Sequence, residues 1–135
     1  MFTPRAQAFA ILRATVGVVF LFFGIGKFVL GVAASAAGIE QMFVKTWLPP
    51  GGVHAFAVVL PFLEVTIGAL LVLGLFTRLA LVAAGLLILM LTAGLSVAAV
   101  AQAVALNLVY ALALYVLLSR VADDNQVSID ALLRR

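Results

Sequence analysis

Four long apolar segments restrict what this chain can fold into. They lie at about Ala8–Leu30, Val53–Leu75, Arg78–Val97 and Val100–Ser119. A helix needs about 20 apolar residues to cross the hydrocarbon core of a bilayer. Each segment reaches that length, and 67% of all residues are hydrophobic. The sequence therefore predicts an all-α integral membrane protein, a four-helix bundle over residues 1–120 with a polar tail at 121–135.

The placement of lysine and arginine predicts the orientation of the bundle. Loops rich in these residues stay on the cytoplasmic side. With the amino terminus inside, that side holds Arg5, Arg13, Arg78, Arg120, Arg134 and Arg135, and the opposite side holds Lys27 and Lys45. We expect a multi-pass protein of the cytoplasmic (inner) membrane with both termini cytoplasmic. The net charge of +3 then reflects topology, and no nucleic-acid partner is expected.

The first apolar segment is predicted to be a true span. Arg5 and Arg13 and the small residues Ala34-Ser35-Ala36 resemble parts of a secretory signal. The apolar core of a signal peptide, however, is about 7–15 residues long, and this segment is longer. We expect it to stay in the membrane.

The loop between the first two spans, Val32–His54, is predicted to contain a short amphipathic helix. Ile39, Met42, Phe43 and Trp47 recur at helical spacing. Such a helix lies flat at the membrane surface and is placed to cap the outer mouth of the bundle. The run Pro49-Pro50-Gly51-Gly52 ends it. His54 follows and is interpreted as an interfacial residue.

Glu64 is the acidic residue of the membrane-embedded segments. An ionisable group at bilayer depth is costly, roughly 2.5–3.5 kcal/mol for Asp, Lys or Arg on insertion scales, and usually faces the bundle interior. Pro61 precedes it and Gly68 follows one turn later, so a pocket is expected beside the carboxyl. Two interpretations stay open. Glu64 either locks the bundle through hydrogen bonds or binds a polar headgroup and accepts a proton.

Four other residues are candidates to join Glu64. At about 1.5 Å per residue, Glu64 lies about 16 Å below the outer edge, and Asn107 and Tyr110 lie about 10–15 Å below it. Asn107 and Tyr110 share one face of the fourth span. Lys27 lies above this level and Arg13 below it, so either is placed to reach toward Glu64. In the first span, Gly17 and Gly24 share a face that lets another backbone approach closely.

The residue types that are missing restrict the cofactors. The chain has no Cys and one His. It therefore encodes no iron–sulfur or thiolate site, no bis-histidine haem site and no metal site. Redox chemistry would need a bound organic cofactor or the centre of a partner.

Three stretches of sequence resemble the DoxX-like family of membrane proteins, over about Arg5 to Arg120. The stretches are Arg13…Gly17…Phe20-Leu21…Gly24-Ile25-Gly26-Lys27, then Pro61…Glu64…Gly68…Leu71…Gly74-Leu75-Phe76-Thr77-Arg78, then Asn107…Tyr110. The resemblance implies a compact four-helix inner-membrane protein. Some relatives are the quinone-reducing subunit of thiosulfate:quinone oxidoreductase or belong to oxidative-stress complexes, and others resemble assembly factors. The lack of cysteine argues against the thiol-handling role suggested for some relatives.

The leading hypothesis from sequence is a membrane subunit of a redox system that binds a quinone-like molecule among its helices. Glu64 would be the proton acceptor, and Asn107 and Tyr110 would hydrogen bond carbonyl oxygens. Electrons would come from a protein partner. The alternative is a non-catalytic anchor, assembly factor or chaperone of a partner complex, with the lipid bilayer and a partner or second copy as its contacts. Small-solute transport is disfavoured because paired broken helices are missing.

Overall fold

The computed structural model describes residues 2–135, and within them the chain forms six helices and no strand. Their bounds are α1 Pro4–Leu30, α2 Val32–Phe43, α3 Pro50–Leu73, α4 Thr77–Val97, α5 Ala101–Asp124 and α6 Ile129–Leu133. α1, α3, α4 and α5 are each long and apolar enough to cross a membrane. The predicted fold class, a membrane four-helix bundle with a short helix in the first loop, is confirmed.

The helix ends follow local sequence signals. Thr3 caps α1 by accepting a hydrogen bond from the Ala6 backbone N–H at 3.1 Å, and Pro4 opens the helix. Gly31 separates α1 from α2 at a φ of +101°, and Gly74 ends α3 at a φ of +68°. Both conformations favour glycine, which has no Cβ to clash. The tight Gly74 turn makes α3 and α4 antiparallel neighbours.

The four long helices form a ring in which α1 packs on α3, α3 on α4, α4 on α5 and α5 on α1. α3 and α5 are therefore diagonal to each other. One end of the bundle holds the start of α1, the α3–α4 turn and the residues after α5, and we call it the tail end. The other end holds α2 and the α4–α5 turn, and we call it the loop end.

The tightest packing joins α1 to α3 through three glycines. A Cβ added at Gly68 would lie 2.4 Å from the Leu21 backbone nitrogen. One added at Gly24 would lie 2.8 Å from the Val65 nitrogen, and one at Gly17 would lie 2.8 Å from the Val72 nitrogen. The predicted close approach at Gly17 and Gly24 is therefore present, and its partner is α3. These contacts fix the register between the two helices.

α2 crosses the loop end, where it packs on α3 and α1. The ring of Phe43 lies against Gly94 near the end of α4. Ser35 and Ala36 are buried and Ile39 is partly buried, whereas Met42 and Trp47 are exposed. The helix ends at Phe43, so Trp47 lies outside it. The buried face of α2 therefore lies nearer the start of the helix than the apolar stripe that the sequence predicted.

The helices differ from the predicted spans by a few residues. α3 begins at Pro50 and ends at Leu73, because Pro50 starts a helix readily and Gly74 stops one. α5 continues to Asp124, past the predicted start of the tail. Helix formation does not stop at the membrane edge, so hydropathy alone misplaces such ends.

Candidate functional site

Glu64 and Lys27 form an ion pair inside the bundle. Glu64 lies near the middle of α3 and is 6% exposed. The Lys27 Nζ donates to its Oε2 at 2.7 Å. The Lys27 side chain is itself only 21% exposed, so most of the pair is removed from the surroundings. The pair joins α1 to α3.

The direction of helical side chains explains why these two groups meet. In an α-helix each Cα–Cβ bond tilts toward the amino terminus of the helix. α1 and α3 are antiparallel, so Lys27 leans toward the tail end and Glu64 leans toward the loop end. Each side chain therefore points along the helix toward the other. Sequence identified Lys27 as a possible partner, but only the register of α1 against α3 selects it.

An aromatic ring lies beside the ammonium group. The Lys27 Nζ lies 5.7 Å from the centre of the Phe23 ring. Phe28, which follows Lys27 on α1, and Phe62 on α3 pack edge to face with their ring centres 4.9 Å apart. Phe23 and Phe62 are more than half exposed. A cation held over an aromatic face is stabilised when water is scarce, so the ring shields the pair from the hydrocarbon around the bundle.

Asn107 and Tyr110 do not bind Glu64. Within residues 2–135, the hydrogen bond of the Glu64 carboxylate goes to Lys27. The two residues are on α5, which is diagonal to α3, whereas Lys27 is on the neighbouring helix. Tyr110 packs partly into the apolar core. The Nδ2 of Asn107 is buried with no hydrogen-bond partner.

Arg13 also fails to reach Glu64 and instead binds the tail. Its guanidinium donates to the Leu71 carbonyl at 2.9 Å, the Asn125 Oδ1 at 2.8 Å and the Val127 carbonyl at 2.9 Å. Leu71 is seven residues beyond Glu64, about 10 Å along the helix at the usual rise. The Arg13 side chain leans toward the tail end, as its Cβ direction requires. Only 4% of the residue is exposed.

Asp130 forms a second lock between the tail and the bundle. Its carboxylate accepts from the backbone N–H groups of Phe76 at 2.8 Å and Thr77 at 2.7 Å. These donors begin α4, which has no side-chain cap of its own. The Asp130 N–H also donates to the Gly74 carbonyl at 3.0 Å. We call Asn125, Asp130, Arg13 and the Gly74–Thr77 turn the tail lock.

Sequence reasoning missed the tail lock. It predicted a polar tail at 121–135 and did not find that Asn125 and Asp130 bind residues of α1 and the turn. Ser128 caps α6 by accepting a hydrogen bond from the Ala131 N–H. One signal was available. Arg13 is a guanidinium within an apolar segment and requires acceptors, and the polar tail, predicted on the same side of the membrane, supplies two of them through Asn125 and Val127.

The pKa of Asp130 makes the tail lock sensitive to acid. Partial burial by itself raises the pKa, but the hydrogen bonds from Thr77 and Phe76 and the charge of Arg134 outweigh it, so the pKa is lowered. Docking through Asp130 is therefore complete above the ordinary carboxyl value, about 3.9. It is lost as pH falls through the lower folded value.

We expect the tail to stay docked from neutral pH down to about pH 4 and to detach only as the pH falls further, through the lowered pKa of Asp130. A nitroxide on Leu132→Cys would report this, because Leu132 is exposed and the chain has no other cysteine. With Asp130→Asn added, the label should be mobile at every pH. An acid transition that persists unchanged in Asp130→Asn would contradict the assignment.

Two grooves lie at the tail end of the bundle. One, of about 390 Å³, runs beside Arg13, Val127 and Leu132. The other, of about 1060 Å³, runs between the start of α4 and the end of α5. Neither is lined by Glu64, so the grooves do not lie where the sequence predicted a pocket. α3 continues through Pro61, whose carbonyl packs against Gly24, so that side of the helix is filled.

The described part of the chain has no group of three or more His, Asp or Glu side chains arranged to hold a metal ion. His54 and Glu40 are hydrogen bonded to each other at the loop end. This pair ties α2 to the beginning of α3. It fits the interpretation of His54 as an interfacial residue.

Comparison with known families identifies residues 5–106 as a match to the model of methylamine utilisation protein MauE. The predicted assignment to the DoxX-like family is therefore wrong. Short apolar motifs with interspersed glycines are common to membrane helices, and they did not discriminate between the two families. Curated proteins and solved structures give no match. The matched range contains Arg13, Lys27 and Glu64 and ends before Asn107 and the tail.

Proposed function

The chain belongs to the MauE family, and on that premise we propose that it is a non-catalytic membrane accessory protein of methylamine utilisation. Its role would be to assemble or stabilise another protein of that system. The observation that carries the proposal is that the charged groups within the bundle bind the chain itself. Glu64 is taken by Lys27, and Arg13 by Leu71, Asn125 and Val127.

Charged side chains that are hydrogen bonded to other residues of the same chain favour a rigid scaffold over a site of proton transfer. A general base must be within hydrogen-bond reach of its substrate, and Glu64 would have to release Lys27 first. Breaking such a pair leaves a charge without its partner, which is costly. The bundle therefore presents a fixed shape to its partner. Its surface, more than its interior, would carry the function.

Charge variants of the ion pair test the proposal. Glu64→Gln and Lys27→Gln are each expected to destabilise the bundle by about 1.5–3 kcal/mol, the usual value of a hydrogen bond to a charged group. The double variant removes both charges and should recover most of the loss. In cells that utilise methylamine, the amount of methylamine-oxidising enzyme should follow this stability. Its activity per molecule should stay constant.

The opposite pattern would contradict the proposal. If Glu64→Gln left the amount of that enzyme unchanged and lowered the activity of each molecule, Glu64 would act in chemistry. The double variant would then remain inactive, because restoring stability does not restore a carboxylate. Thermal unfolding of the purified variants separates the two cases. Thr66→Val is a matched control on the same helix, since Thr66 is exposed.

Quinone binding stays a second candidate because of Asn107. A buried amide nitrogen without a partner is a donor available to a carbonyl oxygen of a ligand. Quinone extracted with the purified protein and lost in Asn107→Leu would favour this function. A protein that carries no quinone and binds none on titration would count against it.

We also propose a cytoplasmic-membrane location with the tail end cytoplasmic. Every arginine of the chain is in a segment that the fold gathers at the tail end, and both lysines belong to the loop-end half. This is the asymmetry that the positive-inside rule requires. Single cysteines at Gln126 and Lys45, labelled from outside intact cells, test the orientation. Labelling at position 126 and not at position 45 would show that the protein has the opposite orientation.

A further inference from the structure

The larger tail-end groove has two chemically different parts. We call it the α4–α5 groove. Apolar side chains of the two spans form its walls, and exposed arginines line its tail-end side. The wall residues are Leu79, Val82, Leu118 and Val121, and the arginines are Arg78 and Arg134. Leu79, Val82 and Leu118 are exposed, so the walls face the surroundings of the bundle.

The groove carries more positive than negative charge. Within residues 2–135, Arg78 has no ion pair or side-chain hydrogen bond, and Arg134 uses only its Nε, which donates to the Asp130 carbonyl at 3.2 Å. The Asp130 carboxylate also lines the groove, but Phe76 and Thr77 occupy its two oxygens. Two guanidinium groups therefore face one carboxylate that already has donors.

We infer that the α4–α5 groove binds one anionic phospholipid. The headgroup phosphate pairs with Arg78 and Arg134, since guanidinium groups bind phosphate through parallel N–H donors. An acyl chain lies along Leu79, Val82 and Leu118, at the level of the membrane-spanning helices. A soluble phosphate would satisfy the arginines but leave the apolar walls uncovered. A zwitterionic lipid would bring its own cation to the two guanidinium groups.

The position of the groove fits this occupant. The tail end carries six arginines and three aspartates, which together account for the net charge of +3. Basic pockets between spans on the cytoplasmic side are a known type of anionic-lipid site. Because α6 and the residue after it form one side of the groove through Leu133 and Arg134, a bound lipid would also hold the tail lock closed.

Lipid retention by the full-length protein tests the inference. The protein in neutral detergent is mixed with phosphatidylglycerol or phosphatidylcholine of the same acyl chains, and the retained lipids are counted by native mass spectrometry. We expect one phosphatidylglycerol to be retained with a preference of roughly 30-fold, from two arginines near the membrane surface. Glycerol 1-phosphate should not compete at equal concentration.

Matched variants locate the site. Arg78→Gln with Arg134→Gln should abolish the preference, whereas Arg5→Gln with Arg120→Gln, which removes two exposed arginines outside the groove, should preserve it. Val82→Trp fills the groove without changing its charge and should also lower retention. Circular dichroism confirms that each variant is folded.

Three results would overturn the inference. One is equal retention of the two lipids by the unaltered protein. Another is a loss of preference in the control pair as large as in the groove pair, which would show only a diffuse basic surface. The third is full competition by glycerol 1-phosphate, which would show a soluble phosphate site in place of a lipid site.

Discussion

Replacing Gly68 by leucine is expected to prevent α1 and α3 from packing. A Cβ at this position would lie 2.4 Å from the Leu21 nitrogen and 2.7 Å from its Cα. Both are backbone atoms, which cannot turn aside as a flexible side chain does. Overpacking a core costs about 1–3 kcal/mol even where side chains can adjust, so we expect a loss of ~3 kcal/mol or more here.

The measurement is thermal unfolding in detergent, followed by size-exclusion chromatography of the heated protein. Gly26→Leu is the matched control, because Gly26 lies on α1, one of the two helices concerned, and a Cβ added there has no atom within 4 Å. It should be as stable as the unaltered protein, or slightly more so, since glycine weakens a helix interior. Equal damage from both substitutions would show that the leucine, and not the contact, is responsible.

The consequence of the Gly68 variant extends to the ion pair. The distance between Lys27 and Glu64 depends on the spacing of α1 and α3, so separating these helices also separates the charges. A variant that still folds should therefore lose the 2.7 Å contact. When Lys27→Gln and Glu64→Gln are added to the Gly68 variant, the total loss in free energy of unfolding should be smaller than the sum of the losses of the separate variants. The reason is that all of these changes act on the one interface between α1 and α3.

Replacing Arg13 by alanine is expected to release the tail and destabilise the bundle by about 3–5 kcal/mol, the usual cost of removing one partner from a buried charged network. Three acceptors would lose their donor: the carbonyls of Leu71 and Val127 and the Asn125 side chain. Asn125 is 5% exposed, so water cannot fully replace the lost bonds. Arg13→Lys should recover only part, because one ammonium does not span three acceptors.

Two readouts distinguish release of the tail from general loss of stability. The nitroxide at Leu132→Cys reports docking of the tail, and thermal unfolding reports the bundle. Arg5→Ala is the control, since Arg5 is exposed and belongs to the same helix, and it should change neither. A rigid nitroxide in Arg13→Ala would show that Asp130 alone holds the tail and that Arg13 serves only the α1–α3 contact.

Much of the fold could be predicted because it depends on local properties of the chain. The length and hydropathy of each segment specify a span wherever it packs. Likewise Gly17 and Gly24, seven residues apart, share a face in any helix. Helix ends were less certain, as α3 and α5 show, because caps and turns compete with hydropathy there.

The candidate site depended on information of a different kind. Glu64 was singled out correctly as a buried acid, but its partner could not be chosen among Lys27, Arg13, Asn107 and Tyr110 from sequence. All four are within range along a membrane normal. In the folded bundle α5 lies diagonal to α3, so Asn107 and Tyr110 are not neighbours of Glu64, and the Arg13 side chain points to the tail. The sequence of one segment does not show which helices are neighbours or where the tail packs.

By itself, the sequence determined that this chain spans a membrane four times, that one carboxyl lies among the spans, and where close helix contacts form. Only the tertiary structure decided which groups neutralise each other: Lys27 with Glu64, and Arg13 and the α3–α4 turn with the tail. The physical reason is the separation along the chain over which each kind of interaction acts. Hydropathy and backbone sterics act within a few residues, whereas Arg13 and Asn125 are 112 residues apart and meet only after the helices have packed.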